Sequence, residues 1–89
     1  MLRTMYKLVI KRKAQKQFDA LQAKDRARIL IAFNGLREQP FGGKRLNGEL
    51  HGLFALRVWP FRILYTIERK IITVTVLAIG HRKDVYHKV

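Results

Sequence analysis

Three apolar runs, residues 53–58, 61–67 and 71–79, follow one another with almost nothing between them. Trp59-Pro60 separates the first two, and Glu68-Arg69-Lys70 stands in the polar turn between the second and third. Links this short cannot carry a crossover helix, so consecutive runs must pair as antiparallel strands. The first half of the chain has a different period. Residues 6–10 are aromatic and β-branched enough for one more strand. Beyond them Ala14, Phe18 and Leu21 recur at helical spacing, leaving Lys11, Arg12, Lys13 and Lys16 to solvent. Asp25 caps or opens a second helix, whose stripe is Ile29, Phe33 and Leu36, and Pro40 with Gly42-Gly43 ends it. The expectation is a single α+β domain over residues 1–89. Its order is β-α-α-β-β-β, with a small antiparallel-rich sheet and two N-terminal helices packed on one face. The opposite face is left for a site. Residues 40–52 read as an irregular connection, either a plain surface loop or a basic lip formed by Lys44 and Arg45 beside a nucleic-acid groove.

Charge narrows the partners. Nineteen Lys and Arg face six Asp and Glu, giving a formal net charge of +13 on 89 residues. A positive field of that size selects polyanions, nucleic acid above all, with anionic lipid or a small acidic protein as weaker candidates. Apolar residues make up 48 % of the chain, too many for a charged disordered segment. The absence of cysteine excludes disulfides, zinc fingers and thiol nucleophiles. No apolar run approaches the roughly 20 residues of a spanning helix, and the first residues lack a signal-peptide core, so a cytoplasmic location without membrane contact is expected.

Arg57 and Arg62 interrupt otherwise apolar strands. If Trp59-Pro60 is a two-residue link, Arg57 faces Arg62 across the ladder, where like charges repel. A phosphate bound by both resolves the conflict; arginines snorkelling at a sheet edge are the alternative. The tail carries His81, Arg82, Lys83, Tyr86 and His87 after Gly80, which is expected to redirect the chain. Arg82 can stabilise a phosphorane, the histidines titrate near neutrality and Tyr86 can stack on a base. The six acids are scattered without metal-ligand spacing, so no metal or other cofactor is expected. Chemistry would then be acid–base work on RNA, whose 2′-hydroxyl is an internal nucleophile.

The run Leu46-Asn47-Gly48-Glu49-Leu50-His51-Gly52-Leu53-Phe54-Ala55-Leu56-Arg57-Val58, then Phe61-Arg62-Ile63-Leu64-Tyr65, then Ile79-Gly80-His81-Arg82-Lys83-Asp84-Val85-Tyr86, resembles the RelE/ParE superfamily of toxin–antitoxin toxins, the RelE side most of all. The resemblance implies a RelE-like, microbial RNase-like fold and an mRNA interferase that enters the ribosomal A site and cuts mRNA without metal. It places phosphate-stabilising arginines on Arg62 and Arg82, a stacking or acid–base tyrosine on Tyr86, and a basic strand position on Arg57. Lys44, Arg45 and Lys83 are expected to touch RNA. The implied partners are the ribosome with its mRNA, and a cognate antitoxin whose acidic segment folds on binding. Operator DNA would be bound through the toxin–antitoxin complex. The sequence also departs from the pattern: Leu53 and Ala55 stand where the best-known RelE toxins carry lysines, one of them the proposed general base. His81, His87, Lys83 or Lys44 would have to substitute. A ParE-like gyrase poison needs no such base and is the alternative, as is a catalytically lapsed toxin acting with its antitoxin in autorepression.

Overall fold

The computed structural model describes residues 4–87, apart from the side chains of Lys83 and His87, two expected site residues that therefore lie outside what is described. Strand β1 (Lys7–Ile10) leads into helices α1 (Arg12–Asp19) and α2 (Ala23–Glu38). A two-residue strand β2 (Lys44–Arg45) follows, then β3 (Phe54–Val58), β4 (Phe61–Glu68) and β5 (Thr73–His81). Short 3-10 turns at Pro40–Gly42 and Gly48–Leu50 flank β2, and a longer 3-10 segment, Arg82–His87, follows β5. The sheet order is β1-β5-β4-β3-β2. β1 runs parallel to β5, a pairing the intervening helices make possible, and the other neighbours are antiparallel.

Both helices lie on one face, as the layer rule requires. Ala14 of α1 and Ile29, Phe33 and Leu36 of α2 close over Ile63, Tyr65, Val74, Val76 and Ile79. Burial of each large side chain there contributes about 1.5–3 kcal/mol. The opposite face has a second, smaller cluster of Leu46, Ala55, Leu64, Ala78 and Val85. A bulge separates the two patterns: Leu64 pairs with Ala78 but Tyr65 with Val76, leaving Leu77 without a partner. One extra residue reverses which side chains face which way. It turns Val74 and Val76 towards the helices but Ala78 away from them.

Several boundaries differ from the sequence reading. The irregular connection contains β2, because Lys44 and Arg45 pair with Ala55 and Phe54. α1 ends before Leu21, and α2 begins ahead of Asp25, which sits in its first turn where the helix dipole favours an acid. The last strand starts at Thr73; Ile71 and Ile72 are exposed in the preceding turn, with Ile72 at φ 48°. Gly80 is not the redirecting residue. It remains inside β5, and the left-handed backbone falls on Arg82, at φ 54°. What demands glycine at 80 is proximity, since a Cβ there would lie 2.7 Å from the Cβ of Val85.

Candidate nucleic-acid interface

The open face is laid out in two rows by strand pairing. One runs Lys44, Ala55, Leu64, Ala78 across β2, β3, β4 and β5; the other runs Arg57, Arg62, Gly80. Arg57 and Arg62 are directly opposed, the register that a two-residue Trp59-Pro60 link implies. Small residues in both rows leave a depression. The bare Gly80 admits Val85, which is fully buried and anchors the segment after β5. That anchoring brings Tyr86 beside the arginines: Nη1 of Arg62 donates to the Tyr86 hydroxyl at 3.4 Å, and its guanidinium lies 5.7 Å from the ring centroid.

The result is a groove of about 550 Å³ lined by Lys44, Leu46, Ala55, Arg57, Arg62 and Tyr86. Its lining contains three cations and no carboxylate. Lys44 and Arg57 are exposed, Arg62 and Tyr86 half-buried. Opposed like charges in a sheet cost about 0.2–1 kcal/mol relative to neutral pairs. Nothing in the lining relieves that cost, whereas an anion held between the two guanidinium groups would. Lys44 also occupies a telling register position. It lies directly across the ladder from Ala55, one of the two places where a lysine is missing, and so returns an amine to the same part of the groove.

Lys44 is held there by a residue that the sequence reading quoted only as part of a motif. Tyr65 is fully buried, and its hydroxyl donates to the carbonyl of Pro40 at 2.8 Å while accepting from the Gly43 amide at 3.1 Å. A Cβ at Gly43 would come within 2.3 Å of that hydroxyl, so glycine is required for the chain to approach. Burial raises the Tyr65 pKa above its ordinary value, partly opposed by the Gly43 hydrogen bond. The signal in the sequence was a tyrosine in a run otherwise bound for the core, where a buried hydroxyl needs partners.

Other nominated residues are placed elsewhere. Arg45 pairs opposite Phe54 and lies 5.7 Å from that ring, pointing away from the groove. His81 pairs with Phe61 and meets its ring edge-on at 5.7 Å, on the helix side of the sheet. Arg82 stacks over the indole of Trp59 at 5.1 Å. Among the described residues no group of three or more His, Cys, Asp or Glu could hold a metal ion. No helix among them is long and apolar enough to cross a membrane.

Known proteins share this architecture. The family model of the ParE toxin of type II toxin–antitoxin systems, parDE, matches residues 8–86. Toxin RelG of Mycobacterium tuberculosis is 38 % identical over 61 residues, which are 67 % of this chain and 70 % of that protein. A chain of the RelBE2 toxin–antitoxin complex from Mycobacterium tuberculosis superposes with a TM-score of 0.83 at 30 % identity, covering 91 % of this chain and 95 % of its own. A chain of the archaeal RelE–RelB complex from Pyrococcus horikoshii has the same fold, with a TM-score of 0.77 at 21 % identity over 88 % of this chain and 96 % of that one. Sequence, fold and basic groove agree: the chain belongs to the RelE/ParE superfamily and is the toxin component of a type II toxin–antitoxin system.

Proposed function

We propose that this toxin is a ribosome-dependent endoribonuclease that cuts mRNA in the A site by metal-free attack of the 2′-hydroxyl. The observation that carries this reading is the facing pair Arg57–Arg62 in a groove without a carboxylate. In the reaction the 2′-oxygen bonds to the adjacent phosphorus while the bond to the 5′-oxygen breaks. The products are a cyclic phosphate and a 5′-hydroxyl. Negative charge builds on the non-bridging oxygens of the phosphorane, where fixed guanidinium donors stabilise it more than the ground state. Guanidinium groups hold their protons, so the proton of the 2′-hydroxyl and the one delivered to the leaving oxygen pass through Lys44 and Tyr86. Arg82, beside Trp59 at the tip of the β3–β4 hairpin, touches RNA beyond the scissile phosphate.

A cognate antitoxin is the protein partner in this reading, supported by the toxin–antitoxin complexes formed by structural relatives. An acidic segment that folds on binding would neutralise the groove, and the complex would bind operator DNA. The test is cleavage of a defined mRNA on programmed ribosomes. Arg62→Ala is expected to slow cleavage about 10²-fold or more, the usual cost of losing one charge-stabilising donor. Unchanged cleavage in that variant would overturn the mechanism.

A second reading, a gyrase poison without catalysis, draws on the ParE family model and on the inert Leu53 and Ala55. Cleaved DNA–gyrase complexes with intact mRNA would establish it instead. Intact mRNA and intact DNA, with operator binding retained in the complex, would mark a lapsed toxin.

A further inference from the structure

Trp59 is 57 % exposed, although the strand on either side of it is half-buried or better at most positions. It sits at the tip of the β3–β4 hairpin, one step beyond the Val58–Phe61 pair, which itself follows the Arg57–Arg62 pair. At a rise of about 3.3 Å per residue the indole begins roughly 7 Å past the two arginines. Its position is fixed from three sides. The Arg28 side chain donates to the Trp59 carbonyl, the Arg82 amide donates to the Pro60 carbonyl at 2.8 Å, and the Arg82 guanidinium covers one face of the indole at 5.1 Å. Even so covered, more than half of the residue stays exposed to solvent.

We propose that Trp59, backed by Arg82, is a stacking platform for the base of the nucleotide adjoining the phosphate seated on Arg57 and Arg62. This rests on the groove binding RNA, as in the function proposed above. A rigid aromatic plane beside a cationic groove is the arrangement that single-stranded nucleic acid recognises, because every base offers a π-face and every linkage a charge. Arg82 lies against the indole, Arg28 bonds the Trp59 backbone, and the Arg57–Arg62 pair stands two residues along the hairpin; this cationic setting favours a polyanion that itself carries aromatic rings over an apolar protein surface.

The chain contains one tryptophan, so its emission reports on Trp59 alone. The full chain is titrated with a labelled, 2′-O-methylated single-stranded RNA that cannot be cleaved, reading label anisotropy and tryptophan emission together. An abasic strand of equal length serves as the comparison. RNA is expected to quench the emission and the abasic strand to leave it unchanged. Trp59→Ala should weaken RNA binding about ten-fold, within the range for loss of one stacked base, and leave the abasic strand's affinity unchanged. Trp59→Phe, which keeps a smaller plane, should restore most of the affinity and guards against a folding defect in the alanine variant. RNA binding that Arg62→Ala weakens, but that neither quenches Trp59 nor depends on it, would overturn the platform and leave the groove reading standing. Absence of RNA binding, or binding indifferent to Arg57 and Arg62, would overturn both.

Discussion

On the helix-covered face of the sheet, Ile63, Tyr65, Val74 and Val76 meet Ile29, Phe33 and Leu36, and none of these side chains is more than 3 % exposed. On the opposite face Ala55, Leu64 and Ala78 cluster with Leu46 and Val85, with partly buried Leu50, Leu53 and Tyr86 packed around them and no helix above, and the row beside them holds two opposed arginines. One sheet thus presents two surfaces made by different rules. Large apolar residues and two helices fill the first and give the domain most of its stability. The second keeps small residues, repelling charges and one anchored turn. Its stability is sacrificed locally where an anion is to be bound, a common arrangement at functional sites.

That contrast can be broken from either side. Leu36→Ala on the covered face should cost about 2–5 kcal/mol in chemical denaturation, while RNA affinity of the folded fraction stays unchanged. A comparable loss of RNA affinity would mean that the faces are not separable. Gly80→Ala acts on the open face, where the new methyl would meet both the Cβ and the backbone of Val85. It should destabilise by about 1–3 kcal/mol and, by displacing the turn that carries Tyr86, slow RNA cleavage as well. Thermal melts and ribosome assays on the same preparation check both effects.

Tyr65→Phe tests the one side chain that belongs to both regions, its ring in the covered core and its hydroxyl holding the path to Lys44. Loss of the hydroxyl should cost about 1–3 kcal/mol, because the Gly43 amide and the Pro40 carbonyl lose their partner. Its pH signature is specific. Burial raises the folded pKa of Tyr65 above the unfolded value near 10, so its stabilising contribution is complete below about pH 10 and disappears as pH rises through the folded value. Melting curves of the parent chain should therefore fall more steeply above pH 10 than those of Tyr65→Phe. The smallest effect has the opposite sign. Arg57→Gln relieves the cross-strand repulsion and should stabilise the fold by about 0.2–1 kcal/mol in urea titrations while weakening RNA binding.

Much of this architecture was readable in the residues. The two-residue link at Trp59-Pro60 fixed the register, and with it the facing arginines, because pairing across so short a turn leaves no freedom. Helical spacing placed Ile29, Phe33 and Leu36 in the core. Strand β2 escaped notice since two consecutive cations carry no alternation; only their backbone pairing to Ala55 and Phe54 makes them a strand. The tail motif misleads for a related reason. Gly80 and His81 are neighbours in the chain, yet strand alternation sends one under the groove and the other to Phe61 on the far side. Tyr65 signalled that a buried hydroxyl needs partners, but not which, because Pro40 and Gly43 offer only backbone atoms.

The parallel pairing of β1 with β5 orders events during synthesis. Lys7–Ile10 leaves the ribosome more than sixty residues ahead of its partner, Thr73–Val76. Closing so distant a contact is slow compared with forming the helices that lie between. Gly80, Val85 and Tyr86 arrive later still, and they complete the groove. A nascent chain halted anywhere before Tyr86 carries Arg57 and Arg62 without the residue that closes the groove around them.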